Sequence, residues 1–180
     1  TLSLPNGQKS NVIPFEVSKL PLALEANGEN NVPAKAQKVS VPCAINGRIE
    51  TDGDIDCYSF EAKSGENITF EVVARELQSS LDSGIRILNE KGDRLSENDD
   101  YQDRYIHADS KIEPWVAPPA GRYIVEIRDA HGRGGPTFPY VLKVSRAEPY
   151  FTLEIDSEGA RDRAGDESVG RRDEREQMPL

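Results

Sequence analysis

Residues 46–60 read NGRIETDGDIDCYSF. Two short extended runs, 44–50 and 55–62, flank an acidic turn, Thr51-Asp52-Gly53-Asp54. Tyr58 and Phe60 alternate as core-facing strand residues do, and the same period of two puts Asp54 and Asp56 on their face. A carboxylate aimed at a core is costly unless something satisfies it. Backbone amides could do so, and so could a metal ion.

Downstream, short strands follow one another, separated by turns. Ile68, Phe70, Val72 and Ala74 alternate with Thr69, Glu71, Val73 and Arg75, which gives a strand with one buried face. Residues 85–89 form another, and 94–97 pair back across the turn Asn89-Glu90-Lys91-Gly92. After the acidic loop 98–103 come strands at 105–108 and 111–116, with Trp115 as core filler. Tyr123, Val125 and Ile127 alternate next, and beyond a glycine-rich loop at 132–136 so do Tyr140, Leu142 and Val144. About seven or eight short strands and no amphipathic helix predict an all-β fold, an antiparallel, jelly-roll-like β-sandwich.

This domain is expected over residues 22–146. Residues 1–21 read as the end of a preceding domain or a linker, with a strand in SNVIPFEVSKL (10–20). Spans 23–25 and 34–37 read as helical turns or coil. Residues 147–180 read as the start of a following region: one strand at 150–155, then a charged tail too poor in apolar residues to fold. Ragged flanks of this kind suit one domain of a larger chain. The opening TLSLPNGQKS has no charged segment leading into an apolar stretch, so no signal peptide is expected within these residues.

Among 180 residues, 32 are acidic and 22 basic, for a formal net charge of −10. That balance disfavours nucleic acid and anionic membrane surfaces and suits cations. Nor is there an apolar run of about 18 residues that could span a bilayer. Cys43 and Cys57 lie in the two runs flanking the central turn; they read either as a disulfide across neighbouring strands or as two small buried hydrophobes.

The ordered motifs resemble the bacterial pre-peptidase C-terminal domain. They run as Asn46-Gly47-Arg48-Ile49, Asp54-x-Asp56-x-Tyr58-x-Phe60, Gly65, Ser80-Leu81-Asp82, Gly92, Asn98-Asp99-Asp100, Pro119-x-Gly121-x-Tyr123-x-Val125-x-Ile127 and Tyr140-x-Leu142-x-Val144. The resemblance implies a β-sandwich that serves as a non-catalytic accessory module in secreted or cell-surface proteins. It also implies similarity to the collagen-binding domains of clostridial collagenases, which hold calcium between an acidic upstream linker and the Asp-x-Asp-x-Tyr segment. Here Glu25-Ala26-Asn27-Gly28-Glu29-Asn30-Asn31 stands at the linker's place, with one extra residue and no proline.

Calcium takes about six to eight oxygen ligands, several of them carboxylates. Two clusters could supply them: Asp54 and Asp56 with Glu25, Glu29, Asn30 and Asn31, or Asp82 with Asn98, Asp99, Asp100 and Asp109. Turn capping by the same residues is the alternative. The run Asp52-x-Asp54-x-Asp56 opens like an EF-hand loop, but Cys57 and Lys63 occupy the positions of its glycine and its bidentate glutamate. The two histidines, His107 and His131, have no serine in a nucleophile-elbow setting, so no enzyme is expected. The expected partners are neighbouring domains of the same chain, or extracellular protein fibres or polysaccharide.

Overall fold

Alternation of apolar and polar residues builds two facing sheets in the computed structural model, which describes residues 3, 5–9, 12, 14–26, 29–102, 106, 107 and 109–146. The strands in chain order are β1 (Leu22–Leu24), β2 (Gln37–Lys38), β3 (Cys43–Arg48), β4 (Ile55–Ala62), β5 (Asn67–Val73), β6 (Ser83–Asn89), β7 (Arg94–Asn98), β8 (Tyr101–Gln102), β9 (Ile106–His107), β10 (Lys111–Val116), β11 (Gly121–Asp129) and β12 (Pro139–Arg146). One sheet runs β1-β3-β12-β5-β10 and the other β2-β4-β11-β6-β7, with β8 and β9 as a separate hairpin. From β3 to β6 the chain changes sheet at every connection, in the jelly-roll manner.

The core lies between the sheets and follows the period-two reading. Ile45, Leu142, Val144, Ile68, Phe70 and Val72 from the first sheet meet Tyr58, Phe60, Val125, Ile127, Ile85 and Ile87 from the second, all buried. Trp115 is buried among Phe60, Phe70 and Tyr123, with its ring 4.9 Å from that of Tyr123 in an edge-on arrangement. Its strand β10 lies at a sheet edge and shifts register between Ile112 and Trp115, where Pro114 sits without costing a ladder bond.

Four readings of the sequence are corrected. The two sheets hold ten strands rather than seven or eight, because β1 and β2, of three and two residues, add to the edges. Both pair in parallel, β1 with β3 and β2 with β4, so the sandwich is not wholly antiparallel. In the segment read as SNVIPFEVSKL, residues 12 and 14–18 form no strand, and Val12, Phe15 and Val17 are exposed, with no sheet neighbour to bury them. Residues 23–25, read as a helical turn or coil, instead carry most of β1 (Leu22–Leu24), whereas the span 34–37 does hold a short 3-10 turn, Pro33–Lys35, running into β2.

The cysteines belong to different sheets and stay free and buried. Cys43 faces the main core, while Cys57 packs with Leu88 and Ile124 on the outer side of the second sheet. Burial pushes the Cys43 thiol up to about 11 and the Cys57 thiol to about 12, so both behave as small hydrophobes. The expected strand at 150–155 and the tail after it lie outside the described residues, as does Tyr105.

The loop between β11 and β12 is locked down by a buried aspartate. Asp129 accepts the backbone N–H groups of Asp82, His131 and Arg133 and two bonds from the Arg133 guanidinium. Burial acts to raise its pKa, but the Arg133 and backbone donors prevail and hold it at about 2. The loop then rests on the acidic turn: Gly53 N–H donates to the Gly132 carbonyl, and Gly134 N–H to Asp52. A Cβ on Gly134 would collide with the Thr51 backbone, whose nitrogen would lie at 2.8 Å. Gly134→Ala should therefore lower stability by about 1–3 kcal/mol, as overpacking does. Gly121→Ala, with open space around it, should change the urea midpoint far less.

Candidate metal centre

Asp56 of β4 and Asp54, just before that strand, are both buried, and they meet different fates. Asp54 is satisfied by amides: it accepts the N–H of Glu50 at 2.8 Å, its neighbour Ile55 at 3.0 Å and the Asn31 side chain at 2.8 Å. Asp56 has no solvent exposure, and only one of its oxygens is bonded. The Tyr140 hydroxyl donates to Oδ2 at 2.6 Å and lies 2.7 Å from the Tyr58 hydroxyl. Gly47 makes room for this pair, because a Cβ there would overlap the Tyr140 hydroxyl and lie 2.9 Å from that of Tyr58.

The second oxygen, Asp56 Oδ1, is buried without a partner. Two more carboxylates come up to it. Glu25 follows β1 and anchors Oε2 on the Arg48 N–H at 2.9 Å, leaving Oε1 buried and unpartnered. Glu50 follows β3 and leaves Oε2 in the same condition. One oxygen from each of Glu25, Glu50 and Asp56 lies within 4.8 Å of the others. Asn30, pinned beside β4 by the bond from Cys57 N–H to its carbonyl, is also buried with both side-chain polar atoms unpartnered. Buried polar atoms are rarely left without partners, and several carboxylate oxygens with an amide oxygen form a hard donor set of the kind calcium takes.

The electrostatics match crowded anions. Burial above all, then the charges and hydrogen bonding of its neighbours, pushes Asp56 up to about 9. Burial and the charge of Glu25 also raise Glu50. Without a cation, Asp56 keeps its proton at neutral pH.

The sequence-derived candidates are thus sorted by place. Glu25, Asp56 and Asn30 gather at this end of the sandwich; Glu29 is exposed, and Asn31 serves Asp54. Glu50 is a member that sequence reading missed. Its signal lay in the acidic turn that it precedes, but its direction depends on where β3 ends. The second cluster is spread out. Asp82 Oδ2 faces His131 Nδ1 at 3.2 Å. Asn98 accepts the Lys111 N–H, Asp99 that of Asp100, and Asp109 those of Ala74 and Arg75, while the Asp100 carbonyl accepts from Asn98. Among the described residues, Glu25, Glu50 and Asp56 form the one group of three acidic, thiol or imidazole ligands at metal-binding spacing. The His107 side chain lies outside the described residues.

No protein-family model matches the sequence, and no curated protein matches it significantly. The chain is similar in fold to a pre-peptidase C-terminal domain. That domain comes from the collagenase of Bacillus anthracis: identity is 17%, 61% of this chain and 94% of that one are covered, and the TM-score is 0.46. It is a member of the family whose motifs the sequence resembles. Periplasmic inhibitors of g-type lysozyme are also similar. The one from Aeromonas hydrophila has 19% identity, covers 62% and 97% of the two chains and gives a TM-score of 0.45. The one from Salmonella Typhimurium has 14% identity, covers 62% and 99% and gives 0.43.

A carboxyl whose pKa is raised on folding stabilises the fold fully below its unfolded value and ceases to do so as pH rises through the folded one. For Asp56 those limits are 3.8 and about 9. In chelator, the thermal midpoint should therefore fall between about pH 5 and pH 8, and Asp56→Asn should remove much of that fall. Equal pH slopes in the two proteins would show that Asp56 does not hold the proton.

Proposed function

We propose that this chain is a non-catalytic accessory and interaction module of a larger secreted or cell-surface bacterial protein, stabilised by calcium. The observation that carries this reading is the convergence of unpartnered, buried oxygens from Glu25, Glu50 and Asp56, with Asn30 beside them. Glu25 and Asn30 belong to the segment that precedes β3, Glu50 to the turn after it and Asp56 to β4. A cation held by all of them would tie the upstream segment to the body of the sandwich. That is a use for a module that spaces or orients neighbouring domains, since a fixed linker fixes the geometry between them.

In such a site Glu25, Glu50 and Asp56 would supply carboxylate oxygens and Asn30 an amide oxygen. The ion would supply positive charge where three carboxylates otherwise repel one another. Tyr140 would keep Asp56 oriented by holding its other oxygen. Extracellular modules bind calcium with dissociation constants of about 0.1–1 mM, so such a site would fill outside the cell.

Thermal unfolding in excess calcium and again in chelator tests the reading. Calcium at 100 times its dissociation constant adds about 2.7 kcal/mol, a rise in midpoint of about 5–10 °C for a chain of this size. The gain should be larger at pH 8 than at pH 5, because the ion displaces the Asp56 proton. Glu25→Gln and Asp56→Asn should each abolish most of it. An unchanged midpoint at millimolar calcium would leave a metal-free spacer whose carboxylates share protons.

A further inference from the structure

The outer face of the second sheet carries a cluster that the cation site does not use. On β11, Glu126 and Arg128 stand opposite Arg86 and Gly84 of β6. Beyond β6, the edge strand β7 sets Glu97 opposite Arg86 and Arg94 opposite Leu88. Gly84 leaves the sheet bare where Arg128 crosses it: a Cβ there would lie 3.7 Å from both Cγ and Nε of Arg128. Arg128 thereby reaches across β6, and its Nη2 meets Glu97 Oε1 at 2.6 Å. Arg86 Nε meets the same oxygen at 2.7 Å, and Arg94 pairs with Oε2.

Three guanidiniums thus converge on one carboxylate, and their hydrogen bonds, led by that of Arg128, hold Glu97 at about 2. Positive charge remains over. Arg128 Nη1 is buried with no partner. Glu126, only 9% exposed, stands opposite Arg86; burial raises its pKa while the charges of Arg86 and Arg128 act to lower it, so three guanidiniums face two carboxylates. Beside the cluster opens a cavity of about 360 Å³ lined by Pro33, Arg86, Leu88, Gly92, Arg94 and Glu126.

We propose that this cluster docks a carboxylate side chain from an acidic, extended segment of a partner protein, which joins or displaces the resident Glu97. Guanidinium forks match carboxylates in a planar, two-point fashion, and Glu97 shows the cluster already doing so. Leu88 and Pro33 line the cavity with apolar surface suited to the aliphatic stem of a glutamate. Strand β7 is the last in its sheet, so an extended segment could add main-chain hydrogen bonds along its edge. No aromatic ring lines the cavity to stack on a sugar, which favours a protein segment over an acidic polysaccharide. On a chain with formal net charge −10, this patch would be a favoured landing point for an acidic partner.

The proposal names a partner for the interaction module, yet it uses none of the calcium ligands, so the two readings fail separately. The test is isothermal titration of the whole chain, in low salt and with calcium present, with an N-acetylated, amidated hexaglutamate peptide. Saturable binding is expected. Arg94→Gln, at a side chain that is 60% exposed, should leave the circular dichroism spectrum unchanged and weaken binding about tenfold, the loss of one charge-assisted hydrogen bond. Glu97→Gln should tighten it by a similar factor, because the resident competitor is gone. The proposal is overturned by no measurable binding, by Arg94→Gln binding as well as the parent, or by Glu97→Gln failing to tighten. It is also overturned if hexagalacturonate, which carries the same charge on a sugar backbone, binds as tightly as the peptide.

Discussion

A carboxylate sits at zero solvent exposure where the two sheets meet, and much of this end of the molecule is arranged around it. Asp56 could not remain there alone, because an uncompensated buried charge is far more costly than one side chain's packing can offset. Tyr140 donates to one of its oxygens and is itself met by Tyr58, which ties the middle strand of one sheet to β4 of the other. Gly47 is glycine because those hydroxyls occupy the space above it. The other oxygen draws in Glu25 and Glu50, and the group must share either protons or a cation. The same site therefore fixes the packing of the sandwich end and sets its chemistry.

The segment before β3 is built into the fold in more than one way. It adds an edge strand to each sheet, β1 to one and β2 to the other, both in parallel. The Gln37 side chain then acts as a stand-in peptide between them, donating to the Leu24 carbonyl and accepting the Ala26 N–H. Exposed strand edges invite pairing with other chains, and very short edge strands with a side-chain bridge blunt that tendency. The segment also brings Glu25 and Asn30 to Asp56. One stretch of chain thus borders both sheets and supplies two of the buried polar side chains gathered at Asp56.

Charge in this protein is locally sorted in ways its net value conceals. Asp129 is strongly acidic because amides and Arg133 surround it, whereas Asp56, two residues from Asp54 on the same strand face, is pushed to about 9. On the outer face of the second sheet, three arginines share Glu97. Environment rather than residue type decides what each carboxyl does.

The alternating runs at 55–62, 67–73, 121–129 and 139–146 determined the sandwich, because a period of two with β-branched and aromatic residues on one face has few other ways to bury that face. They also determined that Asp54 and Asp56 point inward and that Trp115 fills the core. Tertiary structure alone decided which of those aspartates is satisfied by amides, since two of the three donors to Asp54 come from Glu50 and Asn31, 4 and 23 residues away. It alone brought Glu50 into the acidic group, because that depends on where β3 ends and the turn begins. The cysteines illustrate the same limit. Their positions in two successive strands suggested a pair, but a connection that crosses between sheets puts them on different surfaces. Arg86, Arg94 and Arg128 are scattered along the sequence, and only strand register and the bare surface at Gly84 gather them on Glu97.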